Sequence, residues 1–170
     1  NDAKFNKYLA EIKKFGIKVL LPNINKSSIL FKIEGNNLRM PLLGITNFPR
    51  KSLDEIILER TDHGEFKDFE DFCYRMSKKI TLLQTSKLID AGCFDDFSAH
   101  RQSLKKNLHS VYERANLLAN NEGFLVGAYG IDKPLIYDNS EEEDIIEKMN
   151  KEYEALGVLI SDNPLNYLNL

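Results

Sequence analysis

The 170-residue chain contains no apolar run approaching the roughly 18–20 residues that a membrane-spanning helix needs. That absence excludes a helical membrane span, and no membrane partner is expected. Cysteine is scarce. Cys73 and Cys93 both sit among apolar neighbours, the pattern of small core thiols. These two and the three histidines (His63, His100, His109) lack the paired short spacing of a zinc site, so no metal ligands are expected. The chain also lacks a nucleophile elbow, a phosphate loop and a histidine beside a nucleophile. Its N-terminus has no basic-then-apolar signal pattern and begins at Asn1, not Met, directly in helix-like sequence. We expect a piece of a longer cytoplasmic protein that works as a binding or architectural module.

What is present fits a soluble globular chain with a sizeable core: 42% hydrophobic residues, 29% charged residues and a mean hydropathy of −0.37. The formal charge of −3 conceals an asymmetry. Residues 1–115 carry 20 Lys and Arg against 15 Asp and Glu, whereas residues 116–170 carry 3 against 11. A basic body suits an anionic partner.

The pattern predicts a mainly α fold with a short β-hairpin. Phe5, Tyr8, Leu9 and Ile12 mark the buried face of a helix over 3–15, with Asp2 as N-cap and Gly16 as its stop. Ile17–Leu21 reads as extended. Ile29, Phe31 and Ile33 alternate with polar or outward residues, and Gly35-Asn36-Asn37 turns the strand back through Leu38–Leu42. Leu53, Ile56 and Ile57 define a helix over 52–60 that Ser52 or the preceding turn caps, followed by a loop at 61–64. Phe69, Phe72, Cys73 and Met76 define another helix, with Asp68 at its start. Thr81 and Gln84 form a capping box for a third. Ser98 is expected to cap a long helix carrying Leu104, Leu108, Val111, Ala115 and Leu118. Ser140 with Glu143 suggests a second capping box, for a helix buried through Ile146, Met149, Tyr153 and Leu156 and stopped by Gly157. Asp95-Asp96 in its turn, and the acidic residues 141–144, are expected to be solvated or capping.

Helix, short turn and helix thus occur twice. The first turn is Thr46-Asn47-Phe48-Pro49 and the second spans Gly92 to Phe97. Such modules hold nucleic-acid backbones through turn amides and flanking cations, largely without reading sequence. Arg50 and Lys51 follow the first turn; Arg101, Lys105 and Lys106 follow the second. Other readings are a protein-interaction adaptor acting through the connector 119–139 and the acidic helix, or a hairpin module of a DNA repair enzyme.

Several collinear stretches resemble the α subunit of bacterial DNA polymerase III, DnaE type. YLAEIKKFGIKVLLPNINKSS is similar to the end of that family's fingers region, and EGNNLRMPLLGITNF to the strands leading into its first hairpin. EFKDFEDFCYRM and SKLIDAGCFDDFSAHRQSL resemble the helix and second hairpin of its tandem helix-hairpin-helix domain. YEALGVLISDNPLNYL resembles the segment before its oligonucleotide-binding domain. The resemblance implies four divisions. Residues 1–28 would end the fingers, and 29–118 would hold the β-hairpin and the tandem hairpin domain. Residues 119–139 would be a connector, and 140–170 a helix leading to an oligonucleotide-binding domain.

It further implies a replicative DNA-directed DNA polymerase whose catalytic aspartates and Mg2+ lie in an upstream palm, leaving no catalytic residue or cofactor here. Implied partners are primer–template DNA, the sliding clamp and other replisome subunits. Expected DNA contacts are Thr46, Asn47, Phe48, Arg50, Lys51 and Ser52 in the first hairpin, and Ser98, His100, Arg101 and Lys105 in the second. The chain departs from the family in both hairpins, with Ser98 standing in the second where Gly is frequent, and in the clamp-binding region. Asn47-Phe48-Pro49 stands where Gly-hydrophobic-Gly is usual, and Pro49 removes one amide donor. The clamp-binding region corresponds to 120–127, where Phe124 and Leu125 are candidates but the usual Gln is missing.

Overall fold

The computed structural model describes residues 2–120 and 135–161, apart from the side chains of Asp2 and Ala3. Helix α1 runs Asp2–Lys14 and stops at Gly16. Asp2 is therefore the first helical residue, not a cap. Leu9 is buried while Tyr8, expected on the same face, is about half exposed. Two short strands follow the order expected of a hairpin, β2 (Lys32–Glu34) and β3 (Asn37–Arg39), with Glu34 opposite Asn37. The two-residue turn needs positive φ at Gly35 (58°), which glycine adopts without steric cost. Arg39 locks the pair, donating to both Glu34 carboxylate oxygens (2.9 and 2.7 Å) and to the Leu21 carbonyl (2.8 Å). A third strand, β1 (Val19–Leu20), adds in parallel to β3, giving the order β1-β3-β2.

The expected alternation of Ile29, Phe31 and Ile33 is only partly realised. Ile33 is 77% exposed on the edge strand, and Phe31 leans on Phe5 at 5.9 Å. The chain at 28–29 is drawn away instead, because Ser28 and Ile29 carbonyls accept from Leu42 and Leu43 at the start of a 3-10 turn, Leu42–Gly44.

Helix α2 spans Arg50–His63, capped by Pro49, so it begins before Ser52 and absorbs most of the loop expected at 61–64. Its Arg60 donates to the Ile24 and Ser27 carbonyls and fixes the loop beneath it. Helix α3 (Phe69–Met76) is capped by Asp68, whose carboxylate accepts from the Asp71 amide at 2.7 Å. Helix α4 (Leu82–Asp90) has the full Thr81–Gln84 capping box.

Helix α5 (Arg101–Ala119) starts three residues after Ser98, with His100 in the cap position. Helix α6 (Ile145–Leu156) is capped by Asp144, not by Ser140 and Glu143. Its buried stripe is Met149, Glu152, Ala155 and Leu156, which leaves Ile146 and Tyr153 half exposed.

The core lies where α3, α4 and α5 meet the second turn. Phe66–Phe72, Phe69–Phe94 and Phe72–Phe94 all pack edge to face at 5.0 Å. Cys73 and Cys93 are buried free thiols, and burial pushes both thiols well above their ordinary range. Among the described residues no helix is long and apolar enough to cross a membrane. Contacts cross residue 28 at the β1–β3 pairing and where the Ile24 amide donates to the Cys93 carbonyl (3.0 Å).

Candidate nucleic-acid interface

The first turn leaves the 3-10 segment and enters α2 through Asn47, the one non-glycine residue with positive φ (51°) among the described residues. Asparagine tolerates that left-handed conformation through its short polar side chain. Phe48 is buried and anchors the turn. Ser52 is also buried; its hydroxyl accepts from Gln84 Nε2 at 3.1 Å, which joins the first turns of α2 and α4. Thr46 faces α6, where its amide donates to the Ala155 carbonyl (2.8 Å) and its hydroxyl to the Glu154 carbonyl (2.7 Å).

Three expected contacts remain outward. Asn47, Arg50 and Lys51 are exposed, and their amides have no acceptor among the described residues. The Lys51 side chain makes no ion pair there, and Arg50 meets only Asp54 (3.0 Å), one turn along, in a pair more than half exposed. Such a pair holds its cation weakly. This turn therefore presents unpaired amides, a helix N-terminus and two available cations on one surface.

The second turn is differently disposed. Arg101, expected as a surface cation, is only 6% exposed. It donates from Nε and Nη2 to Asp95 (2.9 and 2.7 Å) and from Nη1 to Glu152 (2.9 Å). Asp95 and Asp96 are both exposed in their turn, and each also has a protein partner: Asp95 holds Arg101, and Asp96 meets Asn23 and Lys26. Lys105 is held by Asp90 and the Ser86 hydroxyl. Lys106 pairs with Glu141. Ser98 and His100 are exposed. Each cation behind the second turn is thus already engaged by a carboxylate.

Glu152 is the buried partner of the second turn that the apolar pattern conceals. It is 0% exposed and accepts from Arg101, the Ile160 amide (2.9 Å) and the Ser161 amide (3.1 Å). Burial raises its pKa, but Ser161, Ile160 and Arg101 outweigh that and hold the carboxyl below its ordinary value. Its 0, 3, 7 spacing from Met149 to Leu156 is the signal, since it sets a carboxylate on the buried stripe.

Gly92 opens the second turn at φ 82°, and a Cβ there would stand 2.6 Å from Arg101 Nη2 and 2.9 Å from Leu21 Cδ1. Arg101 cannot yield without leaving its two carboxylates. Gly92→Ala is expected to lower stability by more than about 1 kcal/mol in urea unfolding; an unchanged midpoint would refute the crowding argument.

Residues 16–104, which contain both turns, match the helix-hairpin-helix motif family. The chain belongs to the helix-hairpin-helix family. Over 98% of its length it is also homologous to proteins named DNA polymerase III subunit alpha. Identity is 32% with that of Bacillus subtilis strain 168 and 31% with those of Borreliella burgdorferi and Staphylococcus aureus strain MRSA252. The chain spans 15% of the length of these relatives. Within that span, among the described residues, the first turn has amides without an acceptor and the cations behind the second are internally paired. Phe124 and Leu125 lie outside the described residues. Among the described residues, no group of three or more His, Cys, Asp or Glu could hold a metal ion.

Proposed function

We propose that this chain is a non-catalytic, duplex-DNA-binding part of a replicative DNA polymerase. The observation that carries this reading is the first hairpin, whose unpaired amides at Asn47, Arg50 and Lys51 share a surface with the Arg50 and Lys51 side chains. Backbone amides and cations so arranged suit phosphate oxygens and carry no base specificity. Homology to a stretch of proteins named DNA polymerase III subunit alpha supports the polymerase context. The catalytic aspartates of such an enzyme, with their Mg2+, would belong to a palm domain outside this chain. This chain alone is therefore expected to be inactive. The sliding clamp is a proposed partner through residues 120–127, and the cytoplasm the proposed site of action.

Because the cations of the second hairpin are paired internally, about two phosphates should be neutralised, giving a log–log salt slope of about −2. Anisotropy of labelled primer–template DNA at several salt concentrations measures it. The double substitution Arg50→Ala and Lys51→Ala should weaken binding for every sequence and flatten the slope by about 1 to 2. Binding insensitive to salt, or a variant that binds as the parent does, would remove this reading.

A further inference from the structure

The first amides of a helix have no intrahelical partner and need an outside acceptor. At the start of α5 the chain itself supplies one. The His100 amide donates to Asn139 Oδ1 (3.1 Å), and the Gln102 amide donates to Glu143 Oε1 (3.4 Å). Asn139 Nδ2 in turn donates to the Ser98 carbonyl (3.2 Å), and Glu143 is steadied by Lys148 at 3.6 Å. Glu141 pairs with Lys106. Amides and cation of the second hairpin thus face carboxylates and an amide oxygen from residues 139–143. Among the described residues the first hairpin has no equivalent cover.

Resting on the DNA-binding reading above, we propose that residues 139–143 are an internal substitute for a backbone phosphate, occupying the anion site of the second hairpin until DNA displaces them. Two features suit displacement over a permanent cap. Glu141 and Lys106 are each more than half exposed, so their pair is screened and weak. The Glu143 contact is longer than the roughly 2.7–2.9 Å of a strong charge-assisted hydrogen bond, which a phosphate oxygen could reach. The base of the segment is held more firmly. The Ser103 hydroxyl donates to the Asp138 carbonyl (2.7 Å), the Leu135 amide donates to Glu70 (3.2 Å), and Tyr137 packs on the core. The acidic tips can therefore leave while their root stays docked. DNA would engage the open first hairpin and then compete for the second.

The test compares the 170-residue chain with a Glu141→Gln, Glu143→Gln double variant, using a fluorescein-labelled DNA duplex of arbitrary sequence. A control variant, Glu11→Gln with Asp62→Asn, removes the same charge from exposed side chains outside both hairpins and outside residues 139–143. The cover variant should bind about fivefold more tightly at low salt, with a slope steeper by about 1 as Lys106 is freed. In 1H–15N spectra its His100 and Gln102 amide signals should move on adding DNA. An equal gain in the control would reduce the effect to net charge and overturn the proposal. Wild-type binding with no gain in the cover variant, or with both amides unmoved, would establish a permanent cap and also overturn it, leaving the DNA-binding reading intact. Failure of all three proteins to bind would defeat the DNA-binding reading and this proposal together, an outcome that the wild-type measurement alone distinguishes.

Discussion

Glu152→Ala is expected to lower stability by about 3–5 kcal/mol, because it strands a buried guanidinium. Arg101 would keep Asp95 but lose the carboxylate on its inner side, and the Ile160 and Ser161 amides would lose their acceptor. For a chain of this size that corresponds to a fall of roughly 10 °C in Tm. The same carboxylate predicts an acid dependence. Its folded pKa lies below the ordinary 4.5, so its contribution is complete above that value and is lost as pH falls through the lowered one. Urea unfolding of the parent and Glu152→Ala at pH 7 and near pH 3 tests both points. A loss under about 1 kcal/mol at pH 7, or one that does not shrink in acid, would sink the argument.

Phe94→Ala should cost a similar amount, about 3–5 kcal/mol, for a different reason. Phe94 is 1% exposed and stands in the second turn itself, touching Phe69 and Phe72 edge to face and stacking on Phe97 at 6.1 Å. Truncation removes three ring contacts at once and leaves a cavity whose walls belong to α3 and the turn. The second turn should therefore loosen before the rest of the domain. Hydrogen exchange at residues 92–97 should accelerate more than exchange in α2; a uniform acceleration would show that the turn has no separate dependence on this ring.

How legible these features were depended on whether the responsible interaction is local. The Thr81–Gln84 capping box, the Asp68 cap and the Gly35 turn are set by neighbours within a few residues, and all stand where the sequence indicates. The buried faces of α3 and α5 follow their spacing for the same reason. Ser140 fails as a cap because the segment around it is committed to α5, some forty residues earlier in the chain. Arg101 resembles a surface cation until Glu152 is placed against it, and spacing within α5 carries no information about α6. Thr46, chosen for a phosphate, is taken by carbonyls at the end of α6. The positions of both turns were thus legible in the sequence, while the division into one hairpin with outward amides and one internally paired came only from tertiary packing.

The contacts of α6 also set an order of events. Thr46 and Glu154 are 108 residues apart in the chain, and Arg101 and Glu152 are 51 apart. Closing such loops is entropically slow compared with forming either hairpin. During synthesis both turns emerge well before the helix that secures them, and Arg101 waits with Asp95 alone. The 108-residue separation of the Thr46–Glu154 contact predicts that docking of α6 is a late step in folding of this region.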